Sequence, residues 1–209
     1  DLFMTDINNA SSIDGALYFW THNTPIQQSG SEYIYTADDY ATYNRTGGTG
    51  TAKGAALSGG QVPSGKIASG QSFFVGTASG IPANSRFQFK NSMRIIDQNT
   101  QFFKQASTKK ATAIEKNRVW LNLTNSGGAF RQLLVGYITG ATNDWDNLYD
   151  GPTFDGQEFV DFYSVNQGKN LTIQGRALPF VDTDVVPLGY RSTIAGPFDI
   201  SIDNRDGSL

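Results

Sequence analysis

Apolar and polar residues alternate along this chain with a period of two far more often than with the spacing of a helix. Residues 86–90 set Phe87 and Phe89 against Arg86, Gln88 and Lys90, the pattern of a half-buried strand with both rings inward. Residues 119–124 alternate likewise, and the Asn-Ser-Gly-Gly run at 125–128 supplies a turn into a further strand over 130–138. Residues 159–165 place Phe159, Asp161 and Tyr163 opposite Val160 and Phe162, and the turn at 166–168 leads into a strand over 171–175. Apolar runs at 16–20, 33–35, 71–75 and 185–190 read as additional strands. Phe198, Ile200 and Ile202 alternate with Asp199, Ser201 and Asp203, and residues 204–207 read as a hairpin turn. No return strand follows, so the sequence reads as a C-terminally truncated piece of a longer polypeptide.

Helical signals are weak. Residues 105–116 carry Ala106, Ala111, Ala113 and Ile114 without a continuous apolar stripe, and read as a polar connector. The Gly-, Ser- and Thr-rich stretch 46–60 reads as an exposed loop. Short strands at this spacing predict an all-β fold, a β-sandwich or jelly roll, as one body or two β units in tandem. The polar stretch 97–116 is the natural boundary, giving an N-terminal β-rich unit over 1–112 and a C-terminal sandwich unit over 113–209.

Composition narrows the chemistry. The 209 residues carry a net charge of −3, which supplies no electrostatic footprint for nucleic acid. The basic residues Lys104, Lys109, Lys110 and Lys116 are interrupted by Thr and Ala and read as a solvated face. No stretch approaches the roughly 18 apolar residues of a membrane span, so no membrane insertion is expected. There is no cysteine, which removes disulfides, thiolate nucleophiles and cysteine-based metal sites together. The one histidine, His22, cannot build a poly-histidine site.

Longer strings carry a resemblance. Residues 14–23 (DGALYFWTHN) precede 39–44 (DYATYN) and the Thr46-Gly47-Gly48 loop, and residues 67–75 (IASGQSFFV) lead to 89–94 (FKNSMR). Then follow 118–124 (RVWLNLT), 140–142 (GAT), 171–176 (LTIQGR), 186–189 (VPLG) and Ala195-Gly196. In this order they resemble the C-terminal β-rich region of large surface and secreted proteins of Bacteroidetes, flavobacteria especially. Such proteins leave the cell by the type IX secretion system, with a sorting domain at their extreme C-terminus. The resemblance implies an extracellular or outer-cell-surface location and brings no catalytic activity with it. This sequence ends before any recognisable sorting signal.

The most chemical-looking stretch is 143–155, with Asp144, Asp146, Asp150 and Asp155 and the amides Asn143 and Asn147 between them. Hard oxygen ligands in one loop suit Ca²⁺, although the spacing is not that of an EF-hand. The competing reading makes these residues turn and cap groups in a long β connection. Trp145 and Tyr149 in the same loop offer an aromatic platform for a glycan, or else anchor the loop from beneath. Trp20 and Trp120, within strands, read as core, as does at least one member of each Phe pair at 73–74 and 102–103.

Catalysis finds little support. His22 has no nucleophilic serine elbow to serve. Glu158 and Asp161, at i and i+3 on a strand, point to opposite faces. The glycine-rich stretch 46–60 lacks the Gly-Lys-Ser/Thr of a phosphate loop. Arg176 and Arg191 read as structural partners of Asp182 or Asp184. The sequence therefore predicts a non-catalytic structural or adhesive module of a larger surface or secreted protein. Its expected partner is the remainder of its own polypeptide, or another chain, at the edge of the 198–203 strand. A carbohydrate-binding module using Trp145, Tyr149 and the acidic loop is the alternative, and a polysaccharide-acting hydrolase stands behind it.

Overall fold

The structure, a computed structural model, describes residues 2–21, 27–29, 32–34, 39–51, 62–96, 114–154 and 159–209. The chain is nearly all β, in two main sheets that stack as a sandwich. The smaller sheet is built from β1 (Ile13–Trp20), β4 (Tyr40–Tyr43), β5 (Gly48–Thr49) and β6 (Phe74–Thr77), in the order β5-β4-β1-β6. Two short strands, β2 (Gln27–Ser29) and β3 (Glu32–Ile34), pair separately. The larger sheet holds β7 (Lys116–Thr124), β8 (Phe130–Ile138), β10 (Val160–Asn166), β11 (Lys169–Arg176), β12 (Leu188–Ser192) and β13 (Asp199–Asp206). Its order is β12-β10-β11-β8-β7-β13, with β9 (Gly151–Pro152) pairing on β11.

Local sequence explains most of these elements. β1 is apolar on both faces, because one side meets the N-terminal segment and the other meets the larger sheet. β7 and β8 form an antiparallel hairpin from Lys116↔Ile138 to Thr124↔Phe130 across the predicted turn, closed by Gly128 N–H to Asn125 O. β10 and β11 join through Gln167 and Gly168, both at positive φ (49° and 75°), the two-residue hairpin turn that matches strand twist. β8 and β11 run parallel, so a long crossover must connect them. That crossover carries the acidic loop.

The larger sheet curls. β10 pairs with β11 only over Ser164–Asn166, then continues along β12. Arg131 Nε on β8 donates to Val160 O (2.9 Å) across this bend. Val160 and Phe162 thereby close over Leu123, Leu133, Val135 and Tyr137, forming one core inside the curl. A second core lies on the far side of the small sheet: Phe3, Met4, Ile13, Leu17, Phe19 and Tyr43. Between the sheets, Trp120 packs with Leu134 and Ile173, and its indole N–H donates to Gly48 O on β5 (2.9 Å). β1 can approach the crossover because Gly15, at φ 90°, has no side chain; a Cβ there would lie 2.1 Å from the Asp150 carbonyl oxygen.

Several expectations are corrected. Residues 86–90 form no strand, and Phe89 is 71 % exposed. The Asn9 side chain takes the place of a strand neighbour there: Nδ2 donates to Gln88 O (2.9 Å) and Oδ1 accepts from Gln88 N–H (2.7 Å). Residues 204–206 are not a hairpin turn; β13 runs on to Asp206 past an irregularity between Ile202 and Asn204. Ile200 and Ile202 face solvent, at 54 % and 65 % exposure, rather than the core. Trp20 is half-buried, unlike the buried Trp120. Within the predicted 46–60 loop, Gly48–Thr49 forms β5. A one-turn helix, α1 (Ile7–Ala10), capped by the Asp6 carboxylate, and strand β4 had no clear sequence signal. Lys116 opens β7, while residues 52–60, 97–113 and the Phe102–Phe103 pair lie outside the described residues.

Candidate functional site

The acidic loop is a hydrogen-bonded rivet between the sheets. Asp150 is fully buried; its Oδ1 accepts from Gly175 N–H (2.9 Å) and its Oδ2 from Asp146 N–H (2.9 Å). Burial pushes its carboxyl up to about 7, although both backbone donors favour the charged form. Asp146 Oδ1 accepts from Leu148 N–H (3.1 Å), and Asp144 Oδ1 accepts from Gln167 Nε2 (2.8 Å) in the β10–β11 turn. Asn147 Nδ2 donates to Ala10 O (2.7 Å) beside α1. Asp144, Asp146 and Asp150 thus each face a different N–H donor and do not converge as a cation cage. Among the described residues no group of three or more His, Cys, Asp or Glu could hold a metal ion. Asp155, the fourth predicted ligand, lies outside the described residues, as do His22 and Glu158.

The two aromatics of the loop do not form an open platform. Tyr149 is 4 % exposed; its carbonyl accepts from Asn44 Nδ2 (2.8 Å) and Thr46 Oγ1 (2.6 Å), and its hydroxyl donates to Thr139 O (3.3 Å). Tyr149 thus sits beneath the loop as the anchor that the sequence offered beside the stacking role. Trp145 is half-buried, with the Lys169 ammonium 4.5 Å from its ring centre.

Arg176 and Asp184 meet as a two-pronged pair, Nε to Oδ2 and Nη2 to Oδ1, both 2.6 Å. The Arg176 guanidinium holds the Asp184 carboxyl below its usual range. Tyr137 OH donates to the same carboxylate (2.6 Å), and burial first, then that bond, pushes the phenol up to about 12. Of the two partners the sequence offered for Arg176, the fold brings Asp184.

The sequence reading missed an aromatic cluster at one end of the inter-sheet cleft. Tyr40 sits at its centre, with ring centroids 5.1 Å from Trp20, 5.6 Å from Phe74 and 4.8 Å from Phe154. Trp20, Tyr40 and Phe154 are half-buried and Phe74 is exposed. The cleft beside Tyr40 and Phe154 is lined by polar groups from both sheets, Thr42, Thr49 and Thr51 against Arg131, Gln132 and Asp161. The register explains the clustering, since Trp20↔Tyr40 and Tyr18↔Phe74 are cross-strand partners.

The second exposed feature is β13. Its inner side pairs with β7 from Asp199↔Thr124 to Asp206↔Arg118, and Arg118 also pairs with the Asp206 carboxylate. On its outer side no strand follows among the described residues. No helix among the described residues is long and apolar enough to cross a membrane.

Residues 1–209 match the family model described as a domain of unknown function (DUF8693). No curated protein matches the chain, and no solved structure does.

Proposed function

From a chain that belongs to the DUF8693 family, we propose a non-catalytic structural or adhesive β-sandwich module of a larger cell-surface or secreted protein. The observation that carries this reading is the β13 edge, an eight-residue strand with Ile200 and Ile202 exposed and, among the described residues, no strand paired on its outer side. Such an edge is a template for pairing with the remainder of its own polypeptide or with another chain. The likeness to exported surface proteins supports an extracellular site of action. The test is association: the chain is expected to form a concentration-dependent larger species in sedimentation at micromolar levels. The double variant Ile200→Lys, Ile202→Lys should abolish it without changing the far-ultraviolet circular dichroism. A wild-type chain that stays monomeric throughout would refute pairing of this edge with a second copy of the chain.

A second reading, glycan binding, is favoured by the Trp20–Tyr40–Phe74–Phe154 cluster beside a cleft of hydroxyl, amide and charged groups. Rings stack on the C–H face of a sugar while such groups meet its hydroxyls. Phe74→Ala should remove retention on a polysaccharide affinity gel, whereas Trp145→Ala should leave it intact. The reverse result would return the site to the acidic loop.

A further inference from the structure

A large opening among the described residues shares no lining residue with the Tyr40 cleft or with β13. It is a cleft of about 850 Å³ between the N-terminal segment, the stretch 64–73 and residues 89–95. This volume falls within the range of small-molecule sites, roughly 300–1,000 Å³. Its floor is apolar and continuous with the core of the small sheet. Phe3 stacks on Phe89 (centroids 4.8 Å apart, planes at 23°) and meets Phe73 edge-on at 5.7 Å, while Ile67 and Met93 pack on the same cluster. The wall is shaped for close approach: Gly65 lies so near the Tyr43 hydroxyl that a Cβ would stand 2.2 Å from it.

The charges that line this floor among the described residues are of one sign: Lys66, Lys90 and Arg94, with no carboxylate, although the chain as a whole carries −3. Lys90 reaches out to Asp6, at the cap of α1, and Arg94 is exposed. An apolar trough with cationic groups at its rim complements a molecule with an apolar body and an anionic head. We propose that this cleft binds a single-chain anionic amphiphile, a fatty carboxylate in its simplest form. The hydrocarbon would lie against Phe3, Phe73 and Phe89, and the carboxylate would meet Arg94. This site is independent of the β13 edge, so either can fail without the other.

Calorimetric titration of the whole chain with sodium dodecanoate, below its micelle concentration, tests the proposal. The expected result is saturable one-to-one binding. Decanoate should bind about fifteenfold more weakly, because each of its two missing methylenes contributes about fourfold. Dodecanol, with the same chain and no charge, should bind up to about fivefold more weakly. Arg94→Gln should weaken dodecanoate by up to about fivefold. Phe89→Ser should weaken it further. Arg94 is exposed, so its variant should keep the wild-type melting temperature; Phe89→Ser gives up its stack on Phe3 and should melt lower while keeping the wild-type far-ultraviolet circular dichroism at the titration temperature. Absence of saturable binding, equal binding of dodecanol, or undiminished binding by the variants would each overturn the proposal.

Discussion

Asp150 shows how one buried carboxylate sets a pH dependence for the whole chain. Its folded value is raised to about 7, with burial outweighing two backbone donors, while an unfolded Asp titrates near 3.9. The folded state therefore holds a proton that the unfolded state has released between those two values. Stability contributed by this group is fully present below about pH 4 and is lost as pH rises through about 7, by up to about 1.4 kcal/mol per unit. Between pH 5 and 7 the melting temperature should fall as pH rises, and Asp150→Asn should flatten that slope. An unchanged slope in the variant would remove Asp150 as its source. The sequence displayed this residue among its neighbours as a ligand candidate, because carboxylate spacing alone does not distinguish a cation cage from caps on backbone N–H groups. The distinction comes from Gly175 N–H, which reaches Asp150 only once β11 has folded beside the crossover. Tyr149 was likewise ambiguous until Asn44 and Thr46, over a hundred residues earlier, were seen to hold its carbonyl.

At the scale of elements, strands closed by local turns were legible and strands completed by distant partners were not. The β7–β8 and β10–β11 hairpins carry their own turn residues, so pattern and punctuation agree. In the second of these, Gly168 sits at φ 75° with open space around its α-carbon. Gly168→Ala should therefore cost only the backbone strain of a left-handed residue, about 1 kcal/mol, measured as a lower urea midpoint with unchanged m-value. A larger loss would mean that the turn carries contacts beyond its backbone geometry. Residues 86–90 show the opposite case. Their alternation is a strand's, yet the Asn9 amide, rather than a neighbouring strand, satisfies the Gln88 backbone. β13 kept its existence and lost its orientation: Ile200 and Ile202 alternate as predicted, but at the sheet's edge they find nothing to pack beneath.

Across the whole molecule, the question the sequence left open was whether the two sheets behave as one body. Polar groups tie them together. Asn44 is fully buried, donates from Nδ2 to Tyr149 O (2.8 Å), and accepts from Thr46 N–H at Oδ1 (2.8 Å). Around it, Arg118 Nη1 donates to Thr46 O (3.1 Å), Lys116 Nζ to Arg45 O (2.7 Å) and Gln132 Oε1 accepts from Gly50 N–H (2.9 Å). Burial holds the Lys116 ammonium down at about 8, the cost of placing a cation at this junction. Apart from the local Asn44–Thr46 bond, each of these runs from one sheet's segment to the other's, so separating the sheets exchanges them for bonds to water at a net cost of about 0.5–1.5 kcal/mol apiece. Asn44→Ala strands at least the Thr46 N–H and should lower stability by about 2–4 kcal/mol. Trp20 lies in the small sheet and Trp120 in the large one, so fluorine-labelled tryptophan reports on each separately by NMR without altering the chain. Both signals should be lost in urea with coincident midpoints, and Asn44→Ala should shift the two midpoints together. Two midpoints already apart in the otherwise unaltered chain would show that these bonds are too weak to couple the sheets, and that each layer is held by its own core alone.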